Sequence, residues 1–417
     1  MSKIQIDPEI RYLEGTQRVL SPEATLVRTT KLLSRIGVTR IANITDLDRV
    51  GIPVFSAIRP SAAAGAISIY SGKGVTDTNA RISAIMESFE RCLAEQPEVS
   101  INLTGVPLDT ERVVDTYESI SESYPALFPD ALLLPQPFSE FTKLEWVMGH
   151  DIMNDIEVFV PANAVFHPYD PRNGVKLFRS NTNGLASGNT IEEAVLHGLL
   201  EVIERDALSI AEYTRNPGTE IMLSESDGIN FGLKARLEEA GIKVKLWLLG
   251  SDVDVPTVVA ALDDTVLRDP ALLVMGAGSH LSPEIAVTRA LTEAAQSRVV
   301  QIHGAREDTD REQVVRTFGY DHMKKLNWYW YEDVKTVPMN ELRDSSSDTP
   351  AANISTVLER LDGIADGAII VNLSRGVEVP VIRAIIPMFE QYTLDRERKG
   401  ERISKKKKRV IKRGAAL

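Results

Sequence analysis

Short apolar runs bounded by Gly, Pro, Asp and Ser alternate along this chain with longer stretches in which apolar positions recur every three or four residues. The first pattern predicts strands and the second amphipathic helices. Strands are expected at residues 54–58, 66–70, 144–148, 157–162, 243–249, 257–262 and 271–275, and late in the chain at 367–372 and 380–386. A helix should begin after Ser21, a cap followed by Pro22, and run to about Ile36, where Gly37 stops it. Prolines crowd between Pro125 and Pro171, which favours loops and edge strands over a continuous wound sheet. The run Asn327-Trp328-Tyr329-Trp330-Tyr331 reads as a strand packed on one side against the core, and residues 343–352 as a flexible loop. Strands and helices interleave throughout, so the class is α/β to α+β, a mixed sheet with flanking helices. No linker stands out, and residues 1–403 are expected to form a single domain.

One arrangement occurs three times: a Gly-bearing stretch running into a helix with acidic or amide side chains on one face. The first copy is Ser71-Gly72-Lys73-Gly74-Val75-Thr76, followed by Ala80, Ser83, Glu87 and Glu90-Arg91. The second is Ser187-Gly188-Asn189-Thr190, followed by Ala194, Glu201 and Glu204-Arg205. The third is Gly276-Ala277-Gly278-Ser279-His280-Leu281-Ser282, followed by Ala286, Arg289, Glu293 and Gln296. Counting from each alanine, a hydroxyl residue lies four before, a glutamate seven after, and a glutamate or glutamine ten after.

Residues three or four apart share a helix face, so Ser83, Glu87 and Glu90 point together, as do Glu201 with Glu204 and Glu293 with Gln296. Thr76, Thr190 and Ser282 sit where N-caps belong, with Glu193 completing a capping box and Pro283 at a first helical position. The glycines upstream are expected to let backbone N–H groups turn toward an anion at the helix start, and Lys73 adds a mobile positive charge. Bringing Glu87, Glu90, Glu201 and Glu204 together is costly unless a hard cation, usually Mg2+ bridging phosphate oxygens, neutralises them. The implied ligand is a metal-bound nucleoside triphosphate. A single Glu-x-x-Glu-Arg is better read as a solvated helix face, but no general rule of folding asks for the same spacing three times.

Composition narrows the setting. Hydrophobic content of 43% and charged content of 25% are ordinary for a globular protein with a sizeable core. A net charge of -12 argues against general nucleic-acid binding. One cysteine, Cys92, permits neither an intrachain disulfide nor a cysteine-based metal cage and suits a reducing cytoplasm. No apolar run approaches the ~20 residues that cross a bilayer, so a cytoplasmic protein without membrane contact is expected. Residues 404–417 form a basic tail, read as disordered.

Several familiar motifs fail. Ser71-Gly72-Lys73-Gly74 lacks the spacing of a P-loop and its hydroxyl after lysine, and no Asp-Phe-Gly accompanies Glu204-Arg205-Asp206. Gly276-Ala277-Gly278 lacks the third glycine of a dinucleotide fingerprint. No metal-ligand histidine spacing is present; His280 reads as a loop residue and Cys92 as a packed thiol.

Taken together, Ser83 to Arg91, Asn183 to Asp206 and Arg289 to Gln296 resemble the nucleotide-binding signatures of the YcaO family, in the family's order over residues 15–300. The resemblance implies a YcaO-type ATP-binding fold and an ATP- and Mg2+-dependent enzyme that activates a peptide backbone amide. A nucleophile adds to the amide carbonyl, the oxyanion attacks the γ-phosphate, and phosphate leaves, giving an azoline, an amidine or a thioamide. It further implies that Glu87, Glu90, Glu201 and Glu204 hold Mg2+. Asn189, Glu192, Arg205 and Arg289 would contact ATP, and Arg18, Thr25 and Ser83 would line the same pocket. Lys73 and Glu293 join the nucleotide-binding set through the triplicated pattern. No general base is identifiable, and the substrate oxyanion needs none.

The stretches Tyr12 to Val19, Leu47 to Val54 and Val381-Ile382-Arg383 are similar to methanogen members that thioamidate a glycine in the alpha subunit of methyl-coenzyme M reductase. The Pro-x-Pro-x-Pro terminus typical of azoline-forming members is absent, which fits the use of external sulfide, and Pro387-Met388-Phe389-Glu390 departs from the Pro-Gly-Leu-Glu expected there. Many relatives work with a TfuA protein or another sulfur-delivery partner, and a homodimer is expected. An azoline-forming cyclodehydratase and an ATP-binding scaffold for a partner enzyme are the competing readings.

Overall fold

The computed structural model describes residues 3–13, 17–97, 112–304 and 311–403. The basic tail at 404–417, and Glu14, Gly15 and Thr16 of the opening motif, lie outside the described residues. Two compact units are present, each assembled from discontinuous segments. The first draws on the described residues of Met1–Leu20, Phe89–Thr214 and Ser347–Leu417, and the second on Ser21–Ser88 and Arg215–Ser346.

The first unit contains a six-stranded antiparallel sheet. Its strands run in the order Val113–Asp115, Leu144–Asp151, Ile369–Asn372, Val381–Ile385, Leu185–Ser187, with Ile156–Pro161 pairing beside Leu144–Asp151. The 24-residue helix Ile191–Thr214 packs on Val381–Ile385 and Leu185–Ser187 and is covered in turn by the helix Pro350–Leu361. Its apolar positions are buried nearly all round, as a helix held between a sheet and a second helix requires.

The second unit holds a three-stranded antiparallel sheet (Arg40–Asn43, Val54–Ile58, Ile69–Lys73) and a five-stranded one. The latter runs Met275–Ser279, Thr257–Asp264, Ile242–Leu248, Thr219–Met222, Thr336–Pro338, and its last pair is parallel. Helices Gly228–Glu239 and Pro283–His303 cover it, burying Leu233, Leu237, Ala290 and Leu291 against Val244, Leu246, Val258 and Leu262. Arg298, with no exposed surface, holds Asp48 at 2.8 Å and Asp264 at 3.1 Å, and Arg49 reaches Asp264 from the other side at 2.9 Å. Burying an arginine is costly, and here the two aspartates offset that cost.

The mixed class with flanking helices is as expected, but some elements are placed differently. The strands expected at 66–70 and 271–275 lie further along, at Ile69–Lys73 and Met275–Ser279, so the glycines belong to the strands themselves. Residues 328–330 form a 3-10 turn, not a strand. Trp330 is buried and its carbonyl accepts the indole N–H of Trp247 at 3.1 Å, which ties the segment down by a bond no strand ladder supplies. The helix after Ser21 stops at Thr30 and continues as a 3-10 turn, Leu33–Ile36, before Gly37 at φ 76°. The stretch read as a flexible loop contains the start of the helix Pro350–Leu361, capped by Thr349.

Candidate functional site

Each of the three repeats is a strand end packed directly on the start of its own helix. A Cβ added at Gly72 would overlap the amide of Ala84 and the carbonyl of Ala80, and one at Gly278 would overlap the carbonyl of Ala286. At Gly188 it would lie 2.6 Å from the amide of Ala194. None of these glycines has a positive φ. Their role is therefore close approach of strand to helix, not the backbone anion nest expected from the sequence. The contacts also fix the alignment of the copies. Gly278 stands where Gly72 does, with Ala186 between them in sequence, and His280 takes the place of Gly74 and Gly188.

The caps differ from copy to copy. The Thr76 hydroxyl accepts from the Asn79 N–H at 3.2 Å, and that of Thr190 from Glu193 at 3.4 Å. The Glu193 carboxylate does not close a capping box on Thr190; it accepts from the N–H groups of Asn189 at 2.8 Å and Val19 at 2.7 Å. Ser282 precedes Pro283 as expected but makes no side-chain cap. Its hydroxyl turns to Asp344 and its N–H donates to Nδ1 of His280 at 3.0 Å.

Within each unit the strand end of one copy holds the acidic or amide face of another. Ser187 donates through its N–H and hydroxyl to Glu90 at 3.0 and 2.6 Å. Lys73, which occupies the position of Ser187 in the first copy, pairs with Glu293, and the Gln296 amide donates to the Ser71 carbonyl. Glu293 also accepts from the Ala277 N–H at 3.3 Å. In both units the position seven before the alanine reaches the acidic face of another copy, but it meets the residue ten after the alanine at Glu90 and the residue seven after it at Glu293. Sequence reading nominated Lys73 and Glu293 as nucleotide contacts, and the structure brings these two together. Ser187 was missed as a partner of Glu90; no local signal in the sequence pairs the two.

The other nominated residues fall on both units. Glu90, Asn189, Glu192, Glu201, Glu204 and Arg205 belong to the first, and Thr25, Ser83, Glu87 and Arg289 to the second. Arg18, also in the first, is exposed and donates to the Gln17 carbonyl at 2.9 Å, while Thr25 is buried. Glu204 and Asn189 are buried, and Ser83, Glu87, Glu201 and Arg289 are half-buried. Among the described residues, no three His, Cys, Asp or Glu side chains gather as a metal-holding group.

Two nominated side chains carry buried polar atoms without a hydrogen-bond partner: Oε2 of Glu192 and Nε of Arg205. Glu192 is 1% exposed, and its other oxygen accepts from the Asp7 N–H at 2.9 Å. Leaving such groups unmatched costs about 1–3 kcal/mol each, and binding sites are where folded proteins carry that cost. An acceptor and a cationic donor left open on the helix Ile191–Thr214, which also carries Glu201 and Glu204, suit a metal-bound nucleotide with its hydroxyl donors and phosphate acceptors. Asp206, next to Arg205, is by contrast fully used: it binds Arg402 bidentately at 2.9 and 2.8 Å and accepts from the Glu390 N–H at 2.9 Å.

Residues 71–390 match the model of the family described as YcaO cyclodehydratase, ATP- and Mg2+-binding. The chain belongs to the YcaO family. It is 49% identical over 391 residues to an uncharacterized protein of Methanothermobacter thermautotrophicus, covering 93% of this chain and 98% of that one. It is also similar to a protein in the tfuA 3′ region of Rhizobium leguminosarum bv. trifolii, 29% identical with 89% and 88% of the two chains covered. Among solved structures it resembles YcaO from Methanopyrus kandleri bound with AMPPCP and Mg2+, with a TM-score of 0.74, 32% identity, and 92% and 95% of the two chains covered. This YcaO protein is an ATP-dependent peptide-modifying enzyme with ATP and Mg2+ as cofactors. Among the described residues, no helix is long and apolar enough to cross a membrane.

Proposed function

We propose that this YcaO protein installs sulfur in a peptide backbone, forming a thioglycine in the alpha subunit of methyl-coenzyme M reductase. The carrying observation is its near full-length likeness to methanogen relatives, 49% and 32% identical. ATP supplies the γ-phosphoryl group that captures the amide oxygen as phosphate when sulfide adds to the carbonyl carbon. Glu87, Glu90, Glu201 and Glu204 hold Mg2+, with Glu90 steadied by Ser187. Arg205 and Arg289 donate to phosphate oxygens and neutralise charge as the phosphoryl group moves. Asn189 and Glu192 offer polar contacts to the nucleotide, and Arg18, Thr25, Ser83, Lys73 and Glu293 complete its surroundings. Cys92, the single cysteine, is completely buried, so the chain is unsuited to carrying sulfur itself. Sulfide or a delivery protein of the TfuA kind supplies it, a reading supported by the relative whose name places it beside tfuA. The protein acts as a cytoplasmic homodimer.

Incubation with ATP, Mg2+, sulfide and a glycine-containing peptide of the reductase should raise peptide mass by one oxygen-to-sulfur exchange, with Glu90→Ala and Glu204→Ala inactive. No exchange, with or without TfuA, would sink the proposal. The family's description as a cyclodehydratase supports a second reading, azoline formation. It is recognised by loss of water from a Cys-, Ser- or Thr-containing peptide without added sulfide.

A further inference from the structure

The N-terminal segment Lys3–Leu13 belongs to the first unit and forms neither helix nor strand. It is held at a few points. Lys3 pairs with Asp155 at 2.9 Å. Ile4, the one buried residue of the segment, donates its N–H to Nδ1 of His150 at 3.0 Å. That acceptor role places the ring proton on Nε2, which donates to Asp155 at 3.0 Å. Further along, the Tyr12 N–H donates to the Asp348 carbonyl at 3.0 Å. Between these anchors the Asp7 N–H donates to Oε1 of Glu192 at 2.9 Å, in the first turn of the helix Ile191–Thr214. The Asp7 side chain takes no part in that bond, because its Oδ1 accepts from the Glu9 N–H at 2.9 Å. A segment with one buried residue and few hydrogen bonds opens at small cost, independently of the core.

We propose that Lys3–Leu13 is a positioning strap for the nucleotide site, in which the Asp7 N–H holds Glu192 so that Oε2 is left to accept from a hydroxyl or amino group of the nucleotide. Glu192 is 1% exposed, and Oε2 is its one oxygen without a partner, so a single backbone bond sets which way the carboxylate is turned. The inference rests on the assignment of Glu192 to the nucleotide and not on the sulfur chemistry. A bond to a charged group that exists only while the strap is docked couples docking to nucleotide binding. Coupling of this kind is reciprocal: a strap that strengthens nucleotide binding about tenfold is itself held about tenfold more firmly by bound nucleotide.

Hydrogen exchange on the full-length protein, with and without AMPPCP and Mg2+, reads the coupling directly. Exchange across residues 4–12 should slow about tenfold when nucleotide saturates the protein, and the slowing should vanish in Glu192→Gln. Asp7→Pro removes the N–H and should weaken AMPPCP binding about tenfold in a calorimetric titration, with the urea midpoint near wild type. Asp7→Ala, which keeps the N–H, should restore wild-type affinity. Should Asp7→Pro fail to fold, the exchange of the wild-type strap decides alone. Strap exchange that ignores nucleotide, or a folded Asp7→Pro that binds AMPPCP as wild type does while Glu192→Gln binds weakly, would overturn the strap and leave the nucleotide assignment standing. Wild-type affinity in Glu192→Gln would instead overturn the assignment of Glu192 and the strap with it.

Discussion

Ser187 donates two hydrogen bonds to a single carboxylate oxygen, Oε1 of Glu90, from its backbone N–H at 3.0 Å and its hydroxyl at 2.6 Å. The strand end of the second repeat thereby sets the rotamer of an acidic residue in the first. Replacing Ser187 by alanine removes the hydroxyl bond and keeps the backbone one. A hydrogen bond to a charged group contributes ~1.5–3 kcal/mol, so the Mg2+ concentration for half-maximal ATP hydrolysis should rise roughly tenfold. Titrating Mg2+ at saturating ATP measures this, and an unchanged Mg2+ requirement would separate Glu90 from the metal.

Glu192→Gln and Arg205→Lys test the two unmatched atoms of the helix Ile191–Thr214. Each changes the charge or geometry of a group with a buried atom left open. The KM for ATP should increase by about 10-fold or more, the equivalent of ~1.4 kcal/mol, while urea unfolding midpoints stay near wild type. A large loss of stability with unchanged KM would make these residues structural.

Gly72 has no room for a methyl group, because a Cβ would overlap backbone atoms of Ala80 and Ala84. Gly72→Ala should therefore cost roughly 3 kcal/mol or more, since backbone atoms cannot step aside as a flexible side chain would. Gly51 is a useful contrast: it has a φ of 69° but nothing within 4 Å of an added Cβ. Gly51→Ala should cost only about 1 kcal/mol of backbone strain. Comparing the two by urea denaturation separates packing from conformation.

His167 is held well below its ordinary value of 6.5, to about 4, first by burial and then by the charges of Arg91 and Arg383. The folded ring stays neutral, while the unfolded imidazole takes up a proton below about 6.5. In that window the unfolded chain binds more protons, so stability is full above pH 6.5 and is lost as pH falls toward 4. By pH 5 the loss from this group should be about 2 kcal/mol. Unfolding free energies of wild type and His167→Gln should converge between pH 7 and pH 5. A difference that does not change with pH would exclude the histidine as the cause.

The phasing of the candidate residues on their helices was legible in the sequence because it depends on local spacing. Glu87 and Glu90 share a face through helical periodicity alone, and Pro283 marks the start of its helix because proline needs no N–H partner there. The class of fold followed from interleaved strand and helix patterns in the same way. The aromatic run at 328–331 misled because alternation cannot distinguish a strand from a short turn anchored by Trp247. Glu193 was assigned to its nearest cap, yet distant Val19 competes successfully for its other oxygen.

Sequence by itself determined which residues carry charge, how they are phased on their helices, and that one arrangement recurs three times. Only the tertiary structure decided what the recurring glycines are for and which repeat holds which. A glycine looks the same in sequence whether it serves an anion or a neighbouring helix. Its role is set by the atoms that fold against it, and at Gly72 these are the backbone of Ala80 and Ala84. Likewise, Ser187 meets Glu90 across 97 residues of chain, a separation at which periodicity carries no information and packing alone selects the partner.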